Sequence, residues 1–454
     1  MKHNYLLYLL TLSLVLISYM YGENLQDVPG APSDVSPEQN QSYLPTDLEQ
    51  QTQTADQAGL IIKPYGFIKF DVYYDSRQPF GFAEADKLVL PKRYLPDIFC
   101  RDINGRGQWH MTAAQTRMGI TILAPECPCF KTQGIIEAEF FGFNDATIDL
   151  LNMRHAYGQL DFTCEKLSLL LGQFWHPMFI LDCNPATLSL NATPFDSFSR
   201  NPQIRVTKRW NNFELITTIL SQRDFQSPGP VGFSTTYLRN AQVPNICAQG
   251  RWYIGQNQHV LGIVGDFKRL VPRLVTDKNI KVLEIINSFQ AALYTRLNLD
   301  PLLIMAKIIY SQNGADQGLL SGYAVQTIDQ LTDKRTYSNT QVACAWLDLT
   351  YTLACFNTEL GLFVAGTKPF GSRDSLFIDP TTNQPIVYKF LSNVEYSVQV
   401  TPRILFKHDP VQIGFELDYR RAAYGNLDRF GKVPRDCGIP VNDIRLFGTF
   451  MYIF

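Results

Sequence analysis

The sequence has few charged residues and, beyond its amino terminus, no long apolar run. A helix needs about 20 consecutive apolar residues to cross a bilayer, so a bundle of transmembrane helices is excluded. Charged residues make up 18% of the 454 residues, and the net charge of −2 provides no basic surface for nucleic acid. Hydrolase, zinc-protease and phosphate-loop motifs are also missing. We therefore expect no enzyme, no metal or other cofactor, and no nucleic-acid partner.

Apolar and aromatic residues, in contrast, are abundant. They account for 45% and 13% of the chain, which includes 30 Phe and 22 Tyr. Such a composition can bury a large surface, so disorder over the whole length is excluded. A chain of this length can hold two or three soluble domains or one large β architecture, and the residue pattern decides between them.

The first 58 residues differ from the rest of the chain. Lys2 and His3 precede an apolar stretch at 6–17, which is typical of a secretory signal peptide. Residues 23–58 contain no Lys or Arg and are rich in Gln, Asp, Pro, Ser and Thr. Such a segment cannot offset its ordering entropy by burial. We predict a signal peptide at 1–22 and a disordered polar periplasmic tail at 23–58, with a tether or spacer as the alternative for the tail.

From Leu60 onward, apolar residues alternate with polar or small ones in segments of about ten residues, which is typical of half-buried strands. Sixteen such segments are predicted. They cover residues 62–75, 113–123, 132–143, 153–162, 166–175, 203–209, 212–220, 248–254, 259–267, 288–297, 302–311, 341–350, 355–364, 391–406, 411–422 and 443–454.

The connections between these segments are alternately short and long. Residues 163–165 and 210–211 are short connections, for example, and 76–112 and 176–202 are long ones. A transmembrane β-barrel has tight turns at one rim and long loops at the other, and its strands are about 9–11 residues long. We therefore predict an all-β fold at 59–454. It is a transmembrane antiparallel β-barrel of sixteen strands, with short periplasmic turns, long extracellular loops and the carboxyl terminus on the periplasmic side.

The last strand supports this fold. Ile444, Leu446, Phe450, Tyr452 and the terminal Phe454 share one face of it. A final strand that ends in Phe, with aromatic residues two and four positions earlier, resembles the assembly signal of bacterial outer-membrane barrels. We expect this apolar face to contact lipid.

Six short segments occur in order over residues 60–210. They are 65–77 (YGFIKFDVYYDSR), 116–120 (TRMGI), 136–142 (IEAEFFG), 154–157 (RHAY), 171–177 (LGQFWHP) and 200–205 (RNPQIR). Together they resemble DcaP-like outer-membrane porins, and beyond residue 210 the likeness is one of general barrel character.

This resemblance implies a trimeric porin of the bacterial outer membrane that passes small anionic or carboxylated solutes. Its partners would be outer-membrane lipid and lipopolysaccharide, two further copies of the chain in a homotrimer, and the solutes themselves. Small residues on the lipid-facing stripes, Gly66, Ala156 and Gly158, would permit close approach of neighbouring copies. Two features depart from the family: a charged helical amino-terminal segment is absent, and nine Cys are present.

Strand alternation predicts which side chains line the lumen. Strands two and six place Arg inward without an adjacent inward acid, and barrel closure brings basic residues of strands fifteen, sixteen and one together. A basic arc would favour anions, although water-filled lumens are polar in any case and charges pair across strands. The predicted pore-lining residues are Lys69, Arg117, His155, Arg200, Arg205, Arg209, Arg420, Arg445, Glu137 and Glu139.

The connection at 176–202 is expected to fold into the lumen, because it is apolar and carries few charges. An outward loop in contact with neighbouring subunits is the alternative. The whole pattern predicts an outer-membrane porin for passive diffusion. Its rivals are a structural or adhesive outer-membrane barrel with a plugged lumen, and a soluble secreted β-sandwich, which the alternating connections oppose.

Nine cysteines in an exported chain permit disulfides, and the odd number leaves at least one unpaired. Cys129 and Cys164 lie on neighbouring short turns of the predicted barrel. Cys100 and Cys437 lie in the first and last long loops, which barrel closure makes neighbours. We hypothesise the bridges Cys129–Cys164 and Cys100–Cys437.

Overall fold

The computed structural model describes residues 59–82, 87–125, 127–142, 145–190, 192–255 and 259–454. The predicted signal peptide at 1–22 and the predicted tail at 23–58 lie outside the described residues. Within these ranges no helix is both long and apolar enough to cross a membrane.

Sixteen strands, numbered β1 to β16 here, form one antiparallel sheet in which each strand pairs with the next. Every predicted strand is present, and most ends agree within about four residues. The strand predicted at 341–350 begins earlier, at Arg335, the one predicted at 355–364 extends to Ser372, and residues 113–116, predicted as strand, interrupt the second strand. The strands are β1 Ile61–Asp75, β2 in two pieces (Gln108–Thr112 and Arg117–Leu123), β3 Phe130–Glu139, β4 Asn152–Phe162, β5 Leu167–Trp175, β6 Arg200–Trp210, β7 Phe213–Leu220, β8 Asn245–Ile254, β9 His259–Leu270, β10 Ile286–Leu299, β11 Leu302–Gln312, β12 Arg335–Leu353, β13 Thr358–Ser372, β14 Val394–His408, β15 Val411–Tyr424 and β16 Ile439–Ile453.

The first strand closes the sheet by pairing with the last. Phe67 of β1 lies opposite Ile453 of β16, and Asp75 lies opposite Arg445. Closure leaves no sheet edge with unpaired backbone groups, which is the condition for strands that cross a bilayer. The predicted sixteen-stranded antiparallel barrel is therefore confirmed.

A break divides β2 at residues 113–116, and β1 pairs with both pieces. The register advances from Asp71 opposite Thr112 to Phe67 opposite Arg117, so β2 holds one residue more than its partner. The hydroxyl of Thr116 accepts the backbone N–H of Lys69 at 3.2 Å, which replaces a bond of the interrupted ladder.

The short turns and the long connections lie at opposite rims, as predicted. Two of the turns, Thr163–Glu165 and Ala354–Phe356, are single 3-10 turns that end in a left-handed residue, Lys166 and Asn357. The long connections contain their own small elements. These are the strands Pro79–Phe82, Lys87–Pro91, Ser227–Gly229, Gly232–Ser234, Tyr323–Ile328, Ile378–Asp379, Gln384–Pro385 and Val387–Tyr388, the 3-10 turns Asp145–Thr147, Leu181–Cys183 and Ala315–Gln317, and the helix Thr236–Arg239.

The two faces of the barrel wall differ in polarity, and β16 shows the contrast. Leu446 and Phe450 point outward and are exposed, whereas Asp443, Arg445 and Thr449 point inward and are buried. This is the alternation predicted for the last strand. An apolar outer wall is the surface that a bilayer requires.

Apolar residues also pack inside the barrel, on one part of its inner wall. Val264 of β9, Ile309 of β11 and Phe363 of β13 belong to a buried core that includes Met178 and Phe195 from the long connection between β5 and β6. The interior is therefore divided between an apolar part, which the connections cover, and a polar part, which contains most of the inward charges.

The carboxyl-terminal residue covers the outer face of β1. The N–H of Gly66 donates to the carbonyl of Phe454, and the N–H of Phe454 donates to the carbonyl of Gly66, both at 3.0 Å. A Cβ at Gly66 would lie 2.8 Å from the Phe454 ring and 2.4 Å from the Arg117 carbonyl oxygen. The prediction that Gly66 is open to a neighbouring copy is therefore wrong, because the terminal ring occupies that space.

Replacing Gly66 with Ala should destabilise the barrel by about 1–3 kcal/mol, because the added methyl overlaps the backbone of β2 and displaces Phe454. Urea unfolding in lipid vesicles measures the loss. Gly158 is the matched control, since a Cβ there meets nothing within 4 Å, and Gly158→Ala should change stability by less than about 0.5 kcal/mol. Equal effects of the two changes would contradict this account of Gly66.

Candidate functional site

The polar part of the interior is built around a cluster of three arginines and two glutamates, the arginine–glutamate cluster. It consists of Arg117, Glu137, Glu139, Arg154 and Arg200, from β2, β3, β4 and β6. The Nη1 of Arg200 lies 2.8 Å from a Glu139 oxygen, and the Nε of Arg154 lies 2.6 Å from a Glu137 oxygen. Arg117 is more loosely bound, with its Nε 3.7 Å from Glu137.

Two groups from long connections extend this cluster. A carboxylate oxygen of Asp224 accepts both the Nε of Arg200, at 2.6 Å, and its backbone N–H, at 2.9 Å. The ammonium of Lys87 donates to the Gly142 carbonyl at 2.8 Å and lies 4.0 Å from the centre of the Phe141 ring. Burial lowers the pKa of Lys87 to about 8. Three guanidinium groups and this amine thus face three carboxylates.

A β-bulge turns Arg154 into the interior. Glu137 pairs with His155, but the next residue of β3, Ala138, pairs with Met153, so Arg154 has no partner residue across the strands. A bulge places two successive side chains on one face, and both Arg154 and His155 are buried inside the barrel. The side chain of Gln173 donates to the carbonyls of Met153 and Arg154 at 3.2 Å and so satisfies the disturbed backbone.

Aromatic rings pack against the arginines of the cluster. The ring of Trp175 lies 5.4 Å from the Arg154 guanidinium and 5.6 Å from that of Arg200, and it stacks on Phe179 at 4.0 Å. A guanidinium over an aromatic face is stabilised by the ring quadrupole. Strong ion pairs and ring contacts therefore fix Arg154 and Arg200 in place.

Tyr65 connects the cluster to β1. Tyr65 lies opposite Gly119 in the register, and Gly119 lies opposite Glu137. Because Gly119 has no side chain, the Tyr65 ring crosses over it, and the hydroxyl donates to Glu137 at 3.0 Å. A Cβ at Gly119 would lie 2.4 Å from that ring.

A second polar cluster lies where the barrel closes and contains Asp75, Asp418, Arg420, Asp443 and Arg445. The guanidinium of Arg445 binds both oxygens of Asp75, at 2.7 and 2.9 Å. Arg420 pairs with Asp418 and lies 3.5 Å from Asp443. These contacts join β1, β15 and β16 across the barrel seam.

The predicted basic arc, formed by Arg420, Arg445, Lys69 and Arg117, is consequently neutralised. Each of these residues has an acidic partner, since Lys69 also pairs with Asp71, at 3.1 Å. Arg117 has no acid on the inward stripe of its own strand, as predicted, but in the register it lies directly opposite Glu139 of β3.

Two predicted arginines remain without an ion pair among the described residues. Arg205 and Arg209 are half-buried on the inner face of β6. Arg205 donates to the Trp175 carbonyl at 2.6 Å and lies 5.0 Å from the Phe174 ring, and Arg209 lies 4.6 Å from the Tyr253 ring. Aromatic rings, and for Arg205 also a backbone carbonyl, therefore stabilise these two positive charges, and no carboxylate among the described residues pairs with them.

The segment 176–199, between β5 and β6, contacts inward side chains of distant strands. The Lys307 ammonium of β11 pairs with Asp196 and donates to the Met178 carbonyl. On the other side, Glu416 of β15 accepts the backbone N–H groups of Leu188 and Ser189. Contacts with β11 and β15 tie the segment to well-separated parts of the inner wall.

Further contacts attach the same segment to its surroundings. The Lys69 ammonium of β1 donates to the Leu188 carbonyl at 2.8 Å, and the N–H of Phe198 donates to the carbonyl of Gln317 in another connection. His176 is buried at the start of the segment, where its Nδ1 accepts the N–H of Met178 at 3.1 Å. Burial lowers the pKa of His176 to about 3, so this imidazole is neutral at physiological pH.

One of the two hypothesised disulfides is present in the structure. Cys129 and Cys164 are bonded and join the β2–β3 turn to the β4–β5 turn. Cys100 and Cys437 are free and exposed, so the Cys100–Cys437 hypothesis is wrong. Each of these two cysteines lies in a connection whose backbone is held by local hydrogen bonds. The N–H of Cys100 donates to Asp97, and the residues flanking Cys437 donate backbone N–H groups to Glu395.

The sequence pattern placed the predicted interior residues correctly but missed several of their partners. Alternation predicted the inward orientation of Lys69, Arg117, Glu137, Glu139, His155, Arg205, Arg209, Arg420 and Arg445, whereas Arg200 was predicted at the end of the 176–202 connection. It missed Arg154, because no local signal marks the bulge. It also missed Asp224 and Lys87, which reach the cluster from connections. No set of His, Cys, Asp and Glu in the described ranges could hold a metal ion.

Compared with protein families and with curated proteins, the sequence gives no match. Solved structures do match. The outer membrane channel DcaP of Acinetobacter baumannii has a TM-score of 0.65 at 15% identity, covering 88% of this chain and 98% of that chain. The anion-selective porin from Comamonas acidovorans has a TM-score of 0.53 at 10% identity, covering 87% and 100%. The trimer form of in-vitro folded OmpT from Vibrio cholerae has a TM-score of 0.50 at 10% identity, covering 87% and 99%.

At these identities the likeness concerns the fold. The chain has the sixteen-stranded barrel of outer-membrane channels, and the resemblance to DcaP-like porins seen in its sequence is confirmed at the level of structure.

Replacing Lys307 with Met should release the segment 176–199. Burial raises the pKa of Asp196, and removing its ammonium partner leaves that carboxyl buried and uncompensated. Breaking a buried ion pair from one side costs about 3–5 kcal/mol. Urea unfolding measures this loss, and limited proteolysis should show earlier cleavage within the segment.

The double change Lys307→Met with Asp196→Asn should recover much of the loss, because no buried charge is left alone. Lys407, whose ammonium lies 2.6 Å from Glu359 and whose side chain, like that of Glu359, is partly exposed, is the matched control. Its replacement with Met should cost at most about 1 kcal/mol. Wild-type stability of the single Lys307 variant would contradict the role of this ion pair.

Proposed function

We propose that the barrel is a porin of the bacterial outer membrane, through which small hydrophilic solutes diffuse passively. The observation that carries the proposal is the pair Arg205 and Arg209, two half-buried cations inside a closed barrel without an ion pair among the described residues. Glu214 of β7 lies opposite Arg209 in the register but is bound to Arg251 at 3.0 Å, so the guanidinium groups of Arg205 and Arg209 stay available to a passing solute. The fold shared with the DcaP channel supports the same function.

The proposed solutes are anionic, and carboxylates suit the site best. The remaining inward charges are largely balanced, so preference for anions depends on Arg205 and Arg209 rather than on a basic arc. A planar guanidinium binds a carboxylate through two parallel hydrogen bonds, which a simple halide cannot accept. Arg205 and Arg209 are four residues apart on β6, so their Cα atoms are about 13 Å apart along the strand, and each arginine can bind a carboxylate separately.

The segment 176–199 is proposed to constrict the passage. Its bonds to Lys69, Lys307 and Glu416 support this role, because they come from separate strands and hold the segment away from the β5–β6 side of the wall. The solute path then runs between this segment and the inner faces of β2 to β7, where the partly exposed Arg117, at 27%, and Arg205 lie.

A structural or adhesive barrel with a plugged lumen is the second candidate, and one observation favours it. Arg200, Arg420 and Arg445 are fully buried although they point into the interior. The apolar core between the inner wall and the connections leaves part of the interior closed to water. Conductance of the reconstituted barrel decides between the two candidates.

The proposed location places the short turns and the carboxyl terminus in the periplasm and the long connections outside the cell. A homotrimer is the proposed assembly, as in the trimer form of OmpT. On the outer wall, Gly158 of β4 pairs with Gly134 of β3, and Ala156 pairs with Ile136, so small side chains there permit close approach. Native mass spectrometry in mild detergent should detect three copies, and a monomer alone would contradict the trimer.

Replacing Arg205 and Arg209 together with Gln should reduce the anion preference of the channel. Each unit charge contributes about 1 kcal/mol at 4 Å in water, and salt weakens it. The anion-to-cation permeability ratio should therefore fall roughly two- to fivefold at low salt. Reversal potentials under a KCl gradient, recorded in planar bilayers, measure this ratio.

Arg421→Gln is the matched control, since Arg421 lies on the outer face of β15 and its loss is the same change of charge. It should leave the reversal potential unchanged. A cation-selective wild type would refute the anion preference, and a folded, inserted barrel that conducts no ions would favour the plugged alternative.

A further inference from the structure

The connection between β1 and β2 presents an apolar tip to solvent. We call residues 92–106 the rim loop. Ile98 is 90% exposed, Phe99 is 69% exposed, and Ile103 is also exposed. Tyr94 and Leu95 beside them are partly exposed. Large apolar side chains that cluster on a surface usually mark a site of interaction.

The rim loop has a fixed shape. One oxygen of Asp97 accepts the backbone N–H groups of Phe99 and Arg101, at 2.8 and 2.9 Å. Asp102 accepts the N–H of Leu95 at 3.1 Å and pairs with Arg77 at 2.6 Å. These bonds hold the tip in a tight turn, so its apolar residues project into solvent from an ordered backbone.

The rim loop is also basic. It contains Lys92, Arg93, Arg101 and Arg106 and only two acids, Asp97 and Asp102. Both acids are used within the structure, by Arg101 and Arg77. Lys92, Arg93 and Arg106 form no ion pair with any described residue, so the loop combines an apolar tip with three uncompensated cations.

The base of the rim loop meets the apolar outer wall. Gly107 lies so close to Tyr74 that a Cβ there would be 2.5 Å from the Tyr74 hydroxyl. Tyr74 and its neighbour Trp109 of β2 point outward and are exposed. Aromatic residues at the strand ends of membrane barrels lie at the level of the lipid head groups. The exposed surface of the loop is thus continuous with the lipid-facing wall.

We propose that the rim loop anchors the barrel to the leaflet at its long-loop rim. Ile98 and Phe99 enter the acyl layer, and Lys92, Arg93 and Arg106 bind the phosphates of an anionic lipid. An apolar tip beside a basic surface is the combination that binds anionic bilayers. A second copy of the chain fits less well, because it would have to supply carboxylates to three cations.

The proposal requires a barrel inserted in a bilayer and is independent of whether the barrel conducts. Cys100, exposed in the tip, accepts a fluorescent probe once Cys127, Cys355 and Cys437 are replaced with Ser. A matched protein keeps Cys437, which is exposed in the last long connection, as its exposed thiol instead. Both are reconstituted in phosphatidylcholine vesicles, with and without phosphatidylglycerol, and the quencher is a spin-labelled lipid.

We expect lipid quenching of the probe at Cys100, stronger with phosphatidylglycerol, and none at Cys437. Changing Ile98 and Phe99 to Ser should abolish the quenching. Changing Arg93 and Arg106 to Gln should remove only the increase caused by phosphatidylglycerol. The heat-modifiable mobility of each variant on gels verifies that the barrel is folded.

Two results would overturn the proposal. The first is a probe at Cys100 that is as open to water as the probe at Cys437 in every vesicle. The second is a probe at Cys100 that is shielded from both water and lipid, together with disulfide-linked dimers through Cys100 in the unlabelled protein, which would assign the tip to a second copy.

Discussion

Closure of the sheet is the constraint on which the rest of the structure depends, because a strand inside a bilayer cannot leave backbone groups unpaired. β1 and β16 meet in register, and the terminal residue continues the ladder. Where the ladder is irregular, side chains replace the missing bonds. Thr116 serves the break in β2, and Gln173 serves the bulge in β4. The irregularities therefore occur at positions where a nearby polar side chain forms a hydrogen bond with the unpaired backbone group.

The same geometry determines the electrostatics of the interior. Alternation turns many charged side chains inward, where removal from water makes an unpaired charge costly. Most are accordingly matched with partners on nearby strands or on the connections. Arg445 of β16 pairs with Asp75 of the adjacent β1, and Arg403 of β14 reaches across β13 to Asp348 of β12. Under the proposed porin function, selectivity depends on the few charges left over, and not on the total. A nearly neutral interior is therefore compatible with the proposed preference for anions.

The sequence predicted what is local and periodic. Period-two alternation identified all sixteen strands and the inward orientation of residues such as Lys69 and Arg205, because each strand imposes it independently. Partners were harder to predict, since they depend on register. The pairing of Arg117 with Glu139 requires the offset between two strands, and the inward turn of Arg154 requires a bulge that no residue type announces. Contacts from connections, such as that of Asp224 with Arg200, follow no period at all.

The disulfide between two short turns has a consequence for the chain before it folds. Cys129 and Cys164 are 35 residues apart, and β3 and β4 lie between them. A closed loop of that size lowers the entropy of the unfolded chain by an amount equivalent to about 4 kcal/mol at room temperature. If the bond forms before the sheet closes, the two ends of this hairpin are joined in advance. The wall that carries Glu137, Glu139 and Arg154 would then enter the assembly of the barrel as a covalent ring.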